Sequence, residues 1–140
     1  MEGAEKIVVD ASIVVKWCNI EEYTEKCLRL RDDYVAGKID ILAPYLLLYE
    51  VGNALKYNPD FGARDVALAL KDLLDMQMDL KFLDKAQCKM ATRLAYDYAI
   101  TIYDAVYLAL ALISGAPIYT ADERFLRKAK VDGFEHVREY

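Results

Sequence analysis

Short apolar runs alternate with longer periodic segments along this chain. The first run, Ile7-Val8-Val9, is β-branched and free of polar positions, which suits a strand buried on both faces of a parallel sheet. It stops at Asp10, and small residues lead into Ile13-Val14-Val15-Lys16-Trp17, a helix leaving the strand. From Glu22 to Ala36, the residues Tyr23, Cys27, Leu30 and Tyr34 form one apolar helix face, with Glu25, Arg29, Arg31 and Asp32 turned outward. Gly37 follows as a C-cap. Ile39 to Leu42 predicts a second strand, closed by Ala43-Pro44. Tyr45 to Tyr57 predicts a helix that is apolar nearly all round, and Asn58 to Gly62 is the clearest turn in the chain.

The alternation continues. Ala63 to Met76 carries Val66, Leu70, Leu73 and Leu74 on one helix face, and Leu80 to Leu83 reads as a third strand. Lys85 to Tyr98 is helical, with Ala86, Met90, Leu94 and Tyr98 at every fourth position. A turn at Ile100-Thr101-Ile102 precedes the apolar helix Tyr103 to Ser114, which Gly115-Ala116-Pro117 breaks. Ile118 to Thr120 predicts a fourth strand, Ala121 to Lys130 a last helix, and Phe134 to Val137 a fifth, edge strand. Strands alternating with helices predict a three-layer α/β/α fold on a parallel sheet of four to five strands, one domain over residues 1–140.

Four acids fall where this pattern favours something else. Asp10 ends the first strand, Glu50 interrupts an apolar helix, Asp104 opens the most apolar helix, and Asp122 follows the fourth strand. Each also has a purely structural reading. Asp10 serves as an N-cap, Asp104 is a first-turn acid capped by Thr101, Asp122 lies under a Thr120–Glu123 capping box, and Glu50 shares a wet stripe with Asn53 and Tyr57. Taken together, the structural readings are weaker. If strands one and four are neighbours, three acids meet at the carboxyl edge of the sheet, where ligands gather in open α/β folds. Clustered carboxylates raise one another's pKa unless a cation neutralises them. All-oxygen donors point to Mg²⁺ or Mn²⁺ and to metal-assisted phosphodiester hydrolysis.

Composition narrows the choice. The net charge of −5 argues against broad nucleic-acid binding through a basic surface. Cys18, Cys27 and Cys88 have no metal-ligand spacing and read as reduced core thiols of a cytoplasmic protein. Glu2, Glu5 and Lys6 interrupt any signal-peptide core, and no uncharged apolar run reaches membrane-span length, so no membrane association is expected. The single histidine, His136, reads as structural, and no Ser-His or Cys-His pair is available for nucleophilic catalysis. GxGxxG, GxxxxGK[ST] and HExxH motifs are all missing.

The blocks Val9-Asp10-Ala11-Ser12, Glu50 with Asn53-Ala54-Leu55, Tyr103-Asp104-Ala105 with Tyr107-Leu108-Ala109, and Thr120-Ala121-Asp122 resemble the PIN-domain ribonucleases. More narrowly, they are similar to the VapC-type toxins of prokaryotic toxin–antitoxin pairs. The resemblance implies a sheet ordered 3-2-1-4-5 and Mg²⁺- or Mn²⁺-dependent endonucleolytic cleavage of RNA. It implies that Asp10, Glu50, Asp104 and Asp122 hold the metal, with Ser12 and Thr120 supporting Asp10 and Asn53 helping near Glu50. It further implies a homodimer, which eleven tyrosines favour, and a cognate antitoxin whose basic tail enters the acidic cleft. The connection from Tyr57 to Ala63 is short for the family. Three alternatives stay open: an RNA-processing nuclease without antitoxin, a catalytically silent PIN-like binding module, and a receiver-like module with Asp84 as acceptor.

Overall fold

In the computed structural model, which describes residues 3–140, strand β1 (Glu5–Val9) forms the centre of the molecule. Ile7, Val8 and Val9 are buried, as a strand covered on both faces requires. On one side β1 pairs with β2 (Ile39–Pro44), Val8 opposite Leu42; on the other it pairs with β4 (Ile118–Thr120), Val8 opposite Ile118. β3 (Asp79–Lys81) and β5 (Phe134–His136) close the edges, giving an all-parallel sheet ordered β3-β2-β1-β4-β5. That is the expected order, and it makes strands one and four neighbours.

The helices are α1 (Ala11–Cys18), α2 (Thr24–Val35), α3 (Leu46–Lys56), α4 (Ala63–Asp75), α5 (Lys85–Tyr98), α6 (Ile102–Ser114) and α7 (Glu123–Lys128). α6 is buried without interruption from Ala105 to Ala111, because it lies between the sheet and α5. Gly52 of α3 faces Leu70 of α4 so closely that a Cβ there would sit 3.1 Å from a leucine methyl; the glycine sets that helix–helix distance.

Several boundaries differ from expectation. β3 stops at Lys81, where Tyr45 N–H donates to the Lys81 carbonyl at 3.0 Å, and Phe82 and Leu83 lie exposed beyond it. Phe82 stacks on Tyr45 instead of extending the strand. α2 begins at Thr24 because Tyr23 holds a left-handed backbone with φ of 67°. α3 is not apolar all round: Leu47, Val51 and Leu55 face the core, while Tyr49 and Asn53 are exposed. α5 is rotated by about one position from the expected face, burying Gln87, Ala91, Leu94 and Ala95 and exposing Ala86. Of the cysteines only Cys27 is a core thiol; Cys18 is half-buried and Cys88 is exposed on α5. His136 is structural as read: it is buried, takes the Arg138 N–H on Nδ1 and meets Tyr23 edge-on. Among the described residues no helix is long and apolar enough to cross a membrane.

Candidate active site

The carboxyl edge of the two central strands is stitched together by hydroxyls. Asp10, 5% exposed at the end of β1, accepts the Ser12 N–H at 3.1 Å and the Ser12 hydroxyl on Oδ1. Its Oδ2 accepts the hydroxyl of Thr120, which ends the adjacent β4. Ser12 Oγ in turn accepts the Ala121 N–H at 2.8 Å, and Thr120 Oγ1 accepts the Asp122 N–H at 3.0 Å. The β1–α1 and β4–α7 turns are therefore locked to one another through the side chains that hold Asp10. Ser12 and Thr120, the residues expected to support Asp10, both hydrogen-bond to it directly.

The other acids approach from helix starts. Asp104 occupies the first turn of α6, where Thr101 Oγ1 caps the helix by accepting the Asp104 N–H at 3.0 Å. Asp122 is itself the N-cap of α7, accepting the Phe125 N–H at 3.1 Å. No Thr120–Glu123 box forms: Glu123 pairs with Arg138 at 2.6 Å, and Thr120 serves Asp10. The capping reading of Asp10 thus holds, Asp122 caps α7 itself instead of lying under a box, and both caps position carboxylates at the sheet edge. A cavity of about 470 Å³ opens there, lined by Thr101, Asp104, Asp122, Arg124, Phe125 and Lys128. Asp84 is a cap without such company. It accepts the Gln87 N–H at 2.8 Å beyond an edge strand, which removes the receiver-like reading.

Burial and neighbouring charge raise two of these acids, Asp10 and Asp104. Asp10 is pushed up to about 7, chiefly by burial; its hydroxyl partners oppose the shift, and the charges of Asp104 and Asp122 add to it. Asp104 rises to about 6 through burial, then through Asp122 and Glu50. The four acids therefore share one electrostatic field although they come from four segments. Asn53 stands apart, exposed along an apolar groove between α3 and α4, and nothing in the geometry joins it to Glu50.

One residue of this edge escaped the sequence reading. Tyr107, 1% exposed on α6 one turn after Asp104, donates its hydroxyl to Glu50 Oε1 at 2.7 Å. Burial and the Glu50 carboxylate push the phenol well above its usual range, so it stays a donor. The available signal was a lone aromatic with a polar tip among Ala, Val and Leu, since a buried tyrosine hydroxyl needs a partner. Replacing Tyr107 by Phe removes a hydrogen bond to a half-buried carboxylate. The expected cost is about 2 kcal/mol in a urea unfolding curve, with the fold retained.

Donor chemistry at this edge suits a hard cation: only oxygens converge, and Asp10 and Asp104 carry repulsion that a cation would relieve. Among the described residues no three His, Cys, Asp or Glu side chains stand together as a ready-made ligand set. Mg²⁺ needs only one or two carboxylates beside water and phosphate oxygens. The residues fit such an ion in charge and donor type.

Comparison with known proteins agrees with this geometry. A family model described as PIN domain matches residues 7–131. The chain is similar to "Ribonuclease VapC3" of Pyrobaculum aerophilum, 31% identical over 88% of this chain and 94% of that protein. It is also similar to "Exonuclease VapC9" of the same organism, 30% identical over 71% of this chain and 74% of that protein. Among solved structures, one from Pyrobaculum aerophilum has a TM-score of 0.65 at 28% identity, covering 99% of this chain and 90% of its own. The Mycobacterium tuberculosis toxin VapC20 has a TM-score of 0.70 at 17% identity, covering 90% of this chain and 97% of its own, which speaks to the fold.

Proposed function

The chain belongs to the PIN-domain family, and on that premise we propose that it is a Mg²⁺- or Mn²⁺-dependent endoribonuclease, the toxin of a toxin–antitoxin pair. The observation that carries this reading is Asp10, buried between the ends of two central strands and raised chiefly by that burial, with the charges of Asp104 and Asp122 adding to it. Asp10, Glu50, Asp104 and Asp122 would hold the metal, which supplies charge neutralisation and an activated water when bound. Ser12 and Thr120 fix the orientation of the Asp10 carboxylate, and Tyr107 fixes Glu50. Lys128 and Arg124 on the cavity rim would be the cations nearest to a substrate phosphate bound there.

The antitoxin half of the reading draws on relatives. Curated relatives carry VapC names, and solved neighbours are described as toxin–antitoxin complexes, among them one from Klebsiella pneumoniae. The apolar groove between α3 and α4, about 760 Å³, supports a protein partner, since large exposed apolar patches mark interaction sites. A homodimer belongs to the same reading.

The test is cleavage of a linear and a circular single-stranded RNA by the pure protein with Mg²⁺, Mn²⁺ or EDTA. Cutting of both substrates with either metal, abolished by EDTA, is expected. Only an endonuclease opens the circle, which matters because one relative is named an exonuclease. Trimming of the linear RNA alone would replace the endonucleolytic reading with an exonucleolytic one. Well-folded protein that cuts neither and binds neither metal in calorimetry would overturn it.

A further inference from the structure

The chain is net acidic, yet α5 projects Lys85, Lys89 and Arg93 at successive four-residue steps. That spacing places the three cations on one side of the helix, about 6 Å apart along its axis. The opposite side, Gln87, Ala91, Leu94 and Ala95, is the buried one. All three cations are exposed. Among the described residues none of the three has a carboxylate within salt-bridge reach. A groove of about 880 Å³ follows this face, lined also by Leu83, Thr92 and Tyr96. Tyr96 is 84% exposed on the same stripe. The acid at the groove's start, Asp84, has its carboxylate turned to the helix cap, which leaves Asp97 as the free acid of the stripe.

The stripe leads to the acidic cavity. The last turn of α5 runs into Ala99-Ile100-Thr101, which lines that cavity, and Lys128 Nζ on the rim donates to the Ala99 carbonyl at 3.3 Å. We propose that this face of α5 is the track on which single-stranded RNA docks outside the cleaved bond, an inference that rests on the ribonuclease reading. Charge complementarity selects the occupant. Three unpaired cations in a row, stepped at a distance close to that of successive phosphates, match a polyanionic strand, and Tyr96 offers a ring for base stacking. A second copy docked face to face would bring like charges together. A basic antitoxin tail would be repelled here and drawn to the acids instead.

The experiment measures binding apart from chemistry. A short fluorescein-labelled single-stranded RNA is titrated in EDTA by anisotropy, across a salt series, against wild type and the triple variant Lys85→Gln, Lys89→Gln, Arg93→Gln. A second triple variant, Lys6→Gln, Lys26→Gln, Lys38→Gln, makes the same charge change elsewhere. The α5 variant is expected to bind at least about 10-fold more weakly at low salt, with its log–log salt slope shallower by about 2, as three lost phosphate contacts require. In Mg²⁺ its KM should rise with kcat unchanged, and the control variant should resemble wild type. Unchanged binding by the α5 variant, or equal loss in both variants, would overturn the track while leaving a cutting wild type as a ribonuclease. A wild type that neither binds nor cuts RNA would take both readings down.

Discussion

Asp10→Asn and Asp104→Asn are each expected to lower RNA cleavage at least about 100-fold while leaving the protein folded, the scale on which loss of one positioned charged group acts at such sites. The reasons differ between the two. Asp10 is held by three hydrogen bonds from Ser12 and Thr120, so its carboxylate is fixed in place before any ligand arrives. An asparagine keeps the shape and accepts on one side. Thr120 Oγ1, which already accepts the Asp122 N–H, has a second lone pair for the new amide. What disappears is the charge. Asp104 stands at a helix start with its backbone capped by Thr101, a contact the substitution does not touch. Single-turnover cleavage in Mg²⁺ and Mn²⁺, paired with far-ultraviolet circular dichroism, checks both variants. Retention of more than a tenth of wild-type rate in either would remove that residue from the chemistry.

The first four strands were legible because each is followed by a recognisable event, Asp10, Pro44, the Asp84 cap and Thr120, whereas their order came from the family resemblance. The acids were legible because each ends, interrupts, opens or follows an apolar run that favours another residue type. Contacts between segments were not. Tyr107 meets Glu50 across 57 positions of sequence, and no local pattern pairs them. The Asn53 expectation came from the family resemblance, and α3 places that residue along the groove facing α4. The α5 face was misread by about one position because Met90 and Tyr98 outweighed Gln87 on a hydrophobicity argument. The helix buries its small residues instead, since Ala91 and Ala95 allow close packing on α6. That rotation is also what aligns Lys85, Lys89 and Arg93 on open surface.

In the absence of divalent metal, the Asp10 carboxylate should make the fold less stable as pH rises, and Asp10→Asn should remove that loss. Folded, the group titrates near 7; its ordinary value is 3.8. Between those values the folded chain keeps a proton that the unfolded chain has released, so each step up in pH favours unfolding until the window closes near 7. Asp104 acts in the same direction up to about 6. Burial holds the His136 imidazole below its ordinary value, which works oppositely, so the informative quantity is the difference between wild type and variant at each pH. Each step of one in pH across the window is worth at most about 1.4 kcal/mol, so the variant should gain roughly 2–4 kcal/mol on wild type between about pH 4 and pH 8 in EDTA. Urea unfolding at several pH values measures it. Saturating Mg²⁺ should shrink the gain, because an ion bound to the folded state stabilises wild type by mass action and has less charge to meet in the variant. A difference that stays flat with pH would mean that Asp10 is already ionised in the folded chain at low pH, its charge met by the Ser12 and Thr120 hydrogen bonds alone.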